Sequence, residues 1–323
     1  MTDIDVITDE HAPVVPVVSD APVKQLKVKR RGRVTKWLAI GWLVFITVSA
    51  IGANSLPYIP HSCAPNEKLC STAVKGDLRM SQLPPKWAWF ADAPKPVKGS
   101  PERAGLMGTD KNGFDLFSRA MLGARNSLII AGLAITFGLA IGTFLGMVAG
   151  YFRGWVDTVI SRLVDVILSI PLLILALIIL GVFGSSIPVL IITIAVLDST
   201  RVFRLSRALG MNLTVLEYVE AARLRGEGTW WIIRREILPN ASAPLLSEFG
   251  LRFCFNFLFI AALSFLGLGI QPPFADWGGM VRENSAAINF GMLAPIWPAL
   301  AIPVLTVGVN MVVDWLLSVE ARP

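Results

Sequence analysis

Charge is scarce in this chain. Asp, Glu, Lys and Arg together make up 16% of its 323 residues against 54% hydrophobic, with a mean hydropathy of +0.62. A soluble globular domain carries about a quarter charged residues, so the composition excludes one and points to an all-α polytopic membrane protein. Histidine is scarcer still, with two residues. His11 lies in an N-terminal polar tail and His61 in a proline-rich loop, so a membrane-embedded Ser–His pair is excluded. No His-Glu-x-x-His motif occurs, and no metal site is expected. The Gly-x-x-x-x-Gly-Lys-Ser/Thr phosphate loop is also missing, so any ATP-driven step must be powered by a partner.

Cysteine is rare too, at three residues. Cys254 falls inside an apolar span and reads as a small packing residue. Cys63 and Cys70 share a long loop on the side where disulfides persist. A small structural disulfide and a pair of free thiols both stand as readings, since nearby metal ligands are limited to His61 and a few carboxylates.

What is abundant is apolar sequence of bilayer length. Six spans are expected, at Trp37–Leu56, Asn126–Tyr151, Val156–Phe183, Ile187–Phe203, Pro244–Leu268 and Leu293–Leu317, each near the ~20 residues that cross a membrane. A signal peptide is the competing reading of the first, but its basic flank is unusually long and its apolar stretch is near spanning length. The net charge of +6 is placed as topology rather than as a nucleic-acid footprint. Basic residues gather at 24–36, at Arg153 and from Arg201 to Arg235, which puts those segments and both termini in the cytoplasm. The division expected is a disordered basic tail at 1–36, a first helix at 37–56, an extracytoplasmic loop at 57–125 and a helical core at 126–323, with a cytoplasmic loop at 212–239 inside it.

Within the spans, Gly138, Gly142, Gly146 and Gly150 recur every four residues. That spacing makes either a groove for close helix packing or the ordinary glycine richness of membrane helices. Asp165, Asp198, Arg252, Asn256, Asn310 and Asp314 are polar where charge is costly, and are candidates for a translocation cavity or for interhelical pairs. Asp165 and Asp198 could imitate a catalytic aspartyl pair, but Asp198 lies three residues before Arg201 and reads as neutralised.

The 212–239 loop carries EAARLRGEGTWWIIRREILP from Glu220 to Pro239. Thr214, three residues before Glu217, has the spacing of a capping box. A helix over 215–225 with Leu216, Val219 and Ala222 toward one side is expected, then a turn at Gly226 and Gly228, then a second amphipathic turn to Pro239. From composition alone this element is either a membrane-surface anchor or a knob for a cytoplasmic partner.

The order of residues separates those readings. Glu220-Ala221-Ala222, Gly226 and Leu238-Pro239 resemble the EAA motif of ABC importer permeases. MGTDKNGFDLFSRAMLGARNSL (107–128), GYFRGWVD, LSFLGLGIQPP and DWGGM are similar to signatures of the dipeptide/oligopeptide/nickel permeases, the C-type subunit in particular. The resemblance covers the chain from about residue 105 onward. One departure stands out, because Glu236 occupies a place where that family often has isoleucine, with Ile237 beside it.

The resemblance implies a type I ABC importer permease fold and a non-catalytic subunit. Glu220, Ala221, Ala222, Gly226, Leu238 and Pro239 would dock a cytoplasmic ATPase. The implied partners are a homologous second permease, two ATPase subunits binding ATP and Mg, and an extracytoplasmic substrate-binding protein, all at a bacterial cell membrane. Peptides are the cargo implied first, with nickel chelates or oligosaccharides as alternatives. A non-transporting membrane scaffold is the remaining reading, and nothing suggests nucleic acid.

Overall fold

A computed structural model of the chain describes residues 106–290 and 292–320, together with Trp37, Gly41, 76–78 and 81–86, the side chains of Phe290, Asp314 and 316–320 excepted. The tail at 1–36, nearly all of the first expected span, and Cys63 and Cys70 with their disulfide lie outside the described residues. The elements are α1 (Leu116–Phe152), α2 (Gly154–Leu168), α3 (Leu172–Phe183), α4 (Ile187–Leu213), α5 (Glu217–Leu224), α6 (Thr229–Ile232), a π-helical turn (Ile233–Ile237), α7 (Leu238–Asn240), α8 (Ser242–Leu266), α9 (Trp277–Asn284), a 3-10 turn (Ser285–Phe290) and α10 (Ile296–Glu320). No strand occurs among the described residues.

α1 starts where Asp115 caps it, accepting hydrogen bonds from the Ser118 N–H at 2.8 Å and the Ser118 hydroxyl at 2.5 Å. Its 37 residues make a rod of about 55 Å, ten residues longer at the start than the apolar pattern predicts. Helices α1 and α8 and the Ile296–Val313 part of α10 are long and apolar enough to cross a membrane. Helix α4 is long enough, but Asp198, Arg201 and Arg204 interrupt its apolar run.

The expected single span at 156–183 is instead two helices meeting at 85°. The break falls at Pro171, which lacks an N–H to continue the ladder and clashes with the preceding turn. Ser169 closes α2 by donating its hydroxyl to the Val166 carbonyl at 2.7 Å.

The core has two main centres and a small third one of Ala149, Val164 and Phe203. The larger fills the bundle between α1, α3, α4 and α8 at the Asp115 end, around Ile130, Ala134, Ile194, Leu197, Phe257 and Ile260. The smaller lies at the opposite end and joins Met147 of α1 to Val219, Ala222, Ile232, Ile233 and Ile237 of the 217–240 element and to Leu245 of α8.

At the Asp115 end, Arg119 of α1 is buried and donates to Asp110 at 2.6 Å and Glu283 at 2.7 Å, with its guanidinium 4.7 Å from the Phe114 ring centre. Trp277 Nε1 donates to the Ala120 carbonyl at 2.8 Å, and Asn126 to that of Ala275 at 2.9 Å. These bonds clamp α9 across the end of α1. Asp276, the N-cap of α9, accepts from the Gly279 N–H at 3.2 Å. Burial pushes its carboxyl up to about 6.

Candidate coupling surface and intramembrane polar cluster

The four-residue glycine repeat is the seam between α1 and α4. A Cβ on Gly142 would stand 2.6 Å from both the Ser199 carbonyl oxygen and Val202 Cβ. On Gly146 it would meet Ser206 Cβ at 2.6 Å, and on Gly150 the Arg207 carbonyl oxygen at 2.8 Å. Gly138 is looser, with Ala195 O at 3.0 Å. Real Cβ atoms do not approach so closely, so the two backbones touch because these residues have no side chain.

The 217–240 element rests on that seam. Val219 and Ala222 are 0% exposed, one turn apart on α5, and face the smaller core. Trp230 stacks on Phe144 of α1 with centroids 5.7 Å apart and planes 7° from parallel. Arg223 lies 4.9 Å over the Tyr151 ring. The outward side of α5 carries Glu220, Ala221 and Leu224, the last 84% exposed.

Two expectations for this element are corrected. Thr214 does not cap α5, because it closes α4 instead, where its hydroxyl donates to the Met211 carbonyl at 3.0 Å and Arg153 donates to it at 3.3 Å. Leu216 is the N-cap of α5, without a side-chain bond, and is itself exposed. Ala222 offers nothing to a partner, since its methyl is spent on the chain's own core. Of the two alanines, Ala221 alone faces outward.

Gly226 ends α5 at φ 82°, a left-handed position that favours glycine. Its N–H donates to the Arg223 carbonyl at 2.9 Å, and the Glu227 N–H to Ala222 at 3.2 Å, the paired bonds of a Schellman stop. After α6, the wider π turn takes up an extra residue. Ile237 is thereby 1% exposed in the core, while Glu236 turns to Arg225 at 3.8 Å. The isoleucine missing at 236 is thus supplied by its neighbour. Leu238 and Pro239 lie exposed at the start of α7.

The polar residues of the spans divide. Asp198 of α4 and Asn256 of α8 are 3% and 2% exposed, and the Asn256 amide donates to Asp198 at 3.2 Å. Arg252 approaches Asp198 at 3.9 Å and donates to Glu248 at 2.6 Å. Arg201 stands 4.8 Å over the ring of Phe255. Asp165 is not among this group. It forms an exposed pair with Arg204 at 2.8 Å, and next to it Asp157 is bonded by Arg207. Asn310 is exposed on α10, and the Asp314 side chain lies outside the described residues. Cys254 is buried, its thiol toward the Thr306 carbonyl at 3.4 Å.

Sequence reasoning missed Glu248, Asp157 and the Arg119 cluster. The first two lie i−4 from Arg252 and four residues after Arg153, so charge spacing on a helix was the available signal for Glu248. Arg201 was visible only as a topology residue.

Residues 142–320 match the family model described as the binding-protein-dependent transport system inner membrane component. The chain belongs to this family. The Pseudomonas aeruginosa di/tripeptide transport system permease protein DppC is 36% identical over 279 residues, 86% of each chain. The Pectobacterium atrosepticum glutathione transport system permease protein GsiD is 35% identical over 216 residues, 67% of this permease and 72% of that one. The DppC of Alkalihalophilus pseudofirmus is 37% identical over 209 residues, 65% and 69% of the two. Among solved structures, the inward-facing MetNI methionine ABC transporter aligns with a TM-score of 0.53 at 18% identity, covering 64% of this permease and 97% of that chain. That likeness speaks to the fold, which is the permease fold of an ABC transporter.

Proposed function

We propose that this permease is the C-type subunit of an ATP-driven importer of di- or oligopeptides, working with a homologous second permease, two cytoplasmic ATPase subunits and an extracytoplasmic binding protein. The observation that carries it is the two-sided α5. One side is buried in a core shared with α1, α4 and α8, and the other presents Glu220, Ala221 and Leu224 to solvent. A helix so fixed at its base and bare on its outer side is a lever. A push on it reaches the transmembrane helices without a flexible intermediate.

In this reading ATP and Mg bind the ATPases alone, and this subunit catalyses no reaction. Closure of the ATPases moves Glu220–Pro239, and the paired permeases rock to exchange the side from which the cavity is open. Arg153, Arg223, Arg225, Arg234 and Arg235 surround the lever and favour its cytoplasmic placement, with both termini on that side. The peptide cargo is supported by the names of the relatives, two of which are di- or tripeptide permeases.

The test is to purify the tagged chain from its own membranes in mild detergent. Recovery of an ATPase and a second permease, with ATP hydrolysis stimulated by peptide plus binding protein, is the expected result. A chain recovered alone, under conditions that keep other membrane complexes intact, would return the lever to a surface anchor.

A further inference from the structure

Arg153 stands where its backbone does not suit it. It joins α1 to α2 with φ 53° and ψ −163°, a region that glycine enters freely and a residue with a Cβ enters at a cost. Its side chain does not cap α2. Instead it crosses to α4, where one guanidinium nitrogen, Nη2, donates to the Met211 carbonyl at 3.1 Å and to the Thr214 hydroxyl at 3.3 Å. Both acceptors belong to the C-terminal end of α4, where unpaired carbonyls and the helix dipole favour a cation.

That end is the joint between a span and the lever. α4 stops at Leu213 and α5 starts at Glu217, so three residues connect them. Thr214 is buried, whereas Val215 and Leu216 are exposed, and Leu216 gives α5 no side-chain cap. The joint's own bonds are local, from the Thr214 N–H to Gly210 at 3.0 Å and from the Leu216 N–H to Leu213 at 3.2 Å. Arg153 adds a tie to a second helix. It does so where α1 and α4 are already pressed together, since a Cβ on Gly150 would stand 2.9 Å from the Met211 nitrogen. Two residues before Arg153, the Tyr151 ring lies under Arg223 at the far end of α5. The end of α1 therefore holds the eight-residue α5 at both of its ends.

We infer that Arg153 is a positioning residue for coupling: by fixing the α4–α5 joint to the end of α1, it makes a displacement of α5 move both spans together instead of bending the joint. This rests on the importer reading and names the contact through which the lever acts. Glycine at this position would be unstrained and would carry no tie, so strain and coupling can be separated by substitution.

The experiment uses the complete complex in proteoliposomes, with binding protein and a mixture of di- and tripeptides, in wild type, Arg153→Gly, Arg153→Ala and Arg153→Lys. Two quantities are read, the peptide moved per ATP hydrolysed and the thermal midpoint of the purified complex. Arg153→Gly and Arg153→Ala both remove the tie, and both should lower peptide per ATP by roughly three- to tenfold, the worth of an exposed charge-assisted hydrogen bond. They differ in the backbone. Arg153→Ala keeps the strain and should lower the midpoint, whereas Arg153→Gly relieves it and should leave the midpoint near that of wild type. Arg153→Lys keeps a charged donor and should restore part of the coupling.

Peptide per ATP at the wild-type level in Arg153→Gly would overturn the assignment, including the case in which Arg153→Ala loses coupling and stability together, because the loss would then follow strain and not the contact. If wild type hydrolyses ATP without moving peptide, the importer reading itself fails, and this assignment falls with it.

Discussion

Helix α4 has two seams of opposite chemistry. Toward α1 it meets glycines, and the backbones touch. Toward α8 it meets Asn256 and Arg252 across a buried carboxylate. The first seam gains its hold from close van der Waals contact, since lipid supplies no hydrophobic drive between helices. It is indifferent to charge and intolerant of volume. The second is held by charge and hydrogen bonding between buried groups and is intolerant of a change in charge. One helix can thus belong rigidly to the body that carries the lever and still hold a buried polar cluster on its other side.

The largest effect should come from the polar seam. Arg252→Ala removes one of the two arginines that act on the buried Asp198 carboxylate, and should fall toward the lower end of the ~3–5 kcal/mol that loss of one partner of a buried pair costs. Adding Asp198→Asn should restore most of it, and thermal unfolding of the two single and one double variant in detergent measures this as a coupling. Additive losses would show that the two groups do not share an ion pair.

The clamp at the Asp115 end is titratable. Asp276 has a folded pKa of about 6 against an unfolded value of about 3.9. Its contribution is therefore full below about pH 4 and is lost as pH rises through 6, with a cost on the order of 3 kcal/mol by pH 7.5. Stability should rise on acidification from pH 7.5 to 5, and Asp276→Asn should flatten that slope. A slope unchanged in the variant would remove Asp276 as its source.

The glycine seam should respond to volume by position. Gly142→Ala or Gly146→Ala is an overpacking change of about 1–3 kcal/mol. Gly138→Ala should cost less, and Gly132→Ala, where a Cβ meets no atom within 4 Å, should be neutral or slightly stabilising. A flat series across the four positions would contradict the seam.

These contrasts explain what was legible in the sequence. A repeat of four glycines and the order Glu-Ala-Ala, Gly, Leu-Pro are local patterns, and both landed on the elements they suggested. The kink at Pro171 was also local, but the apolar run on both sides masked it. The capping of α5 was misread because Thr214 fits two roles, and the length of α4 decides between them: the helix continues to Leu213 and takes Thr214 as its end. Ala222 was assigned to a partner because its small size suits any close approach, and only the packing of Met147 and Ile237 around it shows which approach is made. The partner of Asp198 was illegible for a different reason, since it depends on how α4 and α8 lie against each other.

The central claim is that the outward side of α5 transmits ATPase motion to the body built on α1 and α4. The most direct measurement compares ATP hydrolysis and peptide uptake in the reconstituted complex carrying Glu220→Arg. Glu220 makes no ion pair among the described residues and is exposed, so the variant should fold and insert as wild type does. Uptake should fall by an order of magnitude or more while the chain remains stable and inserted, with hydrolysis no longer stimulated by loaded binding protein. Uptake at the wild-type rate, still tied to hydrolysis, would contradict the claim.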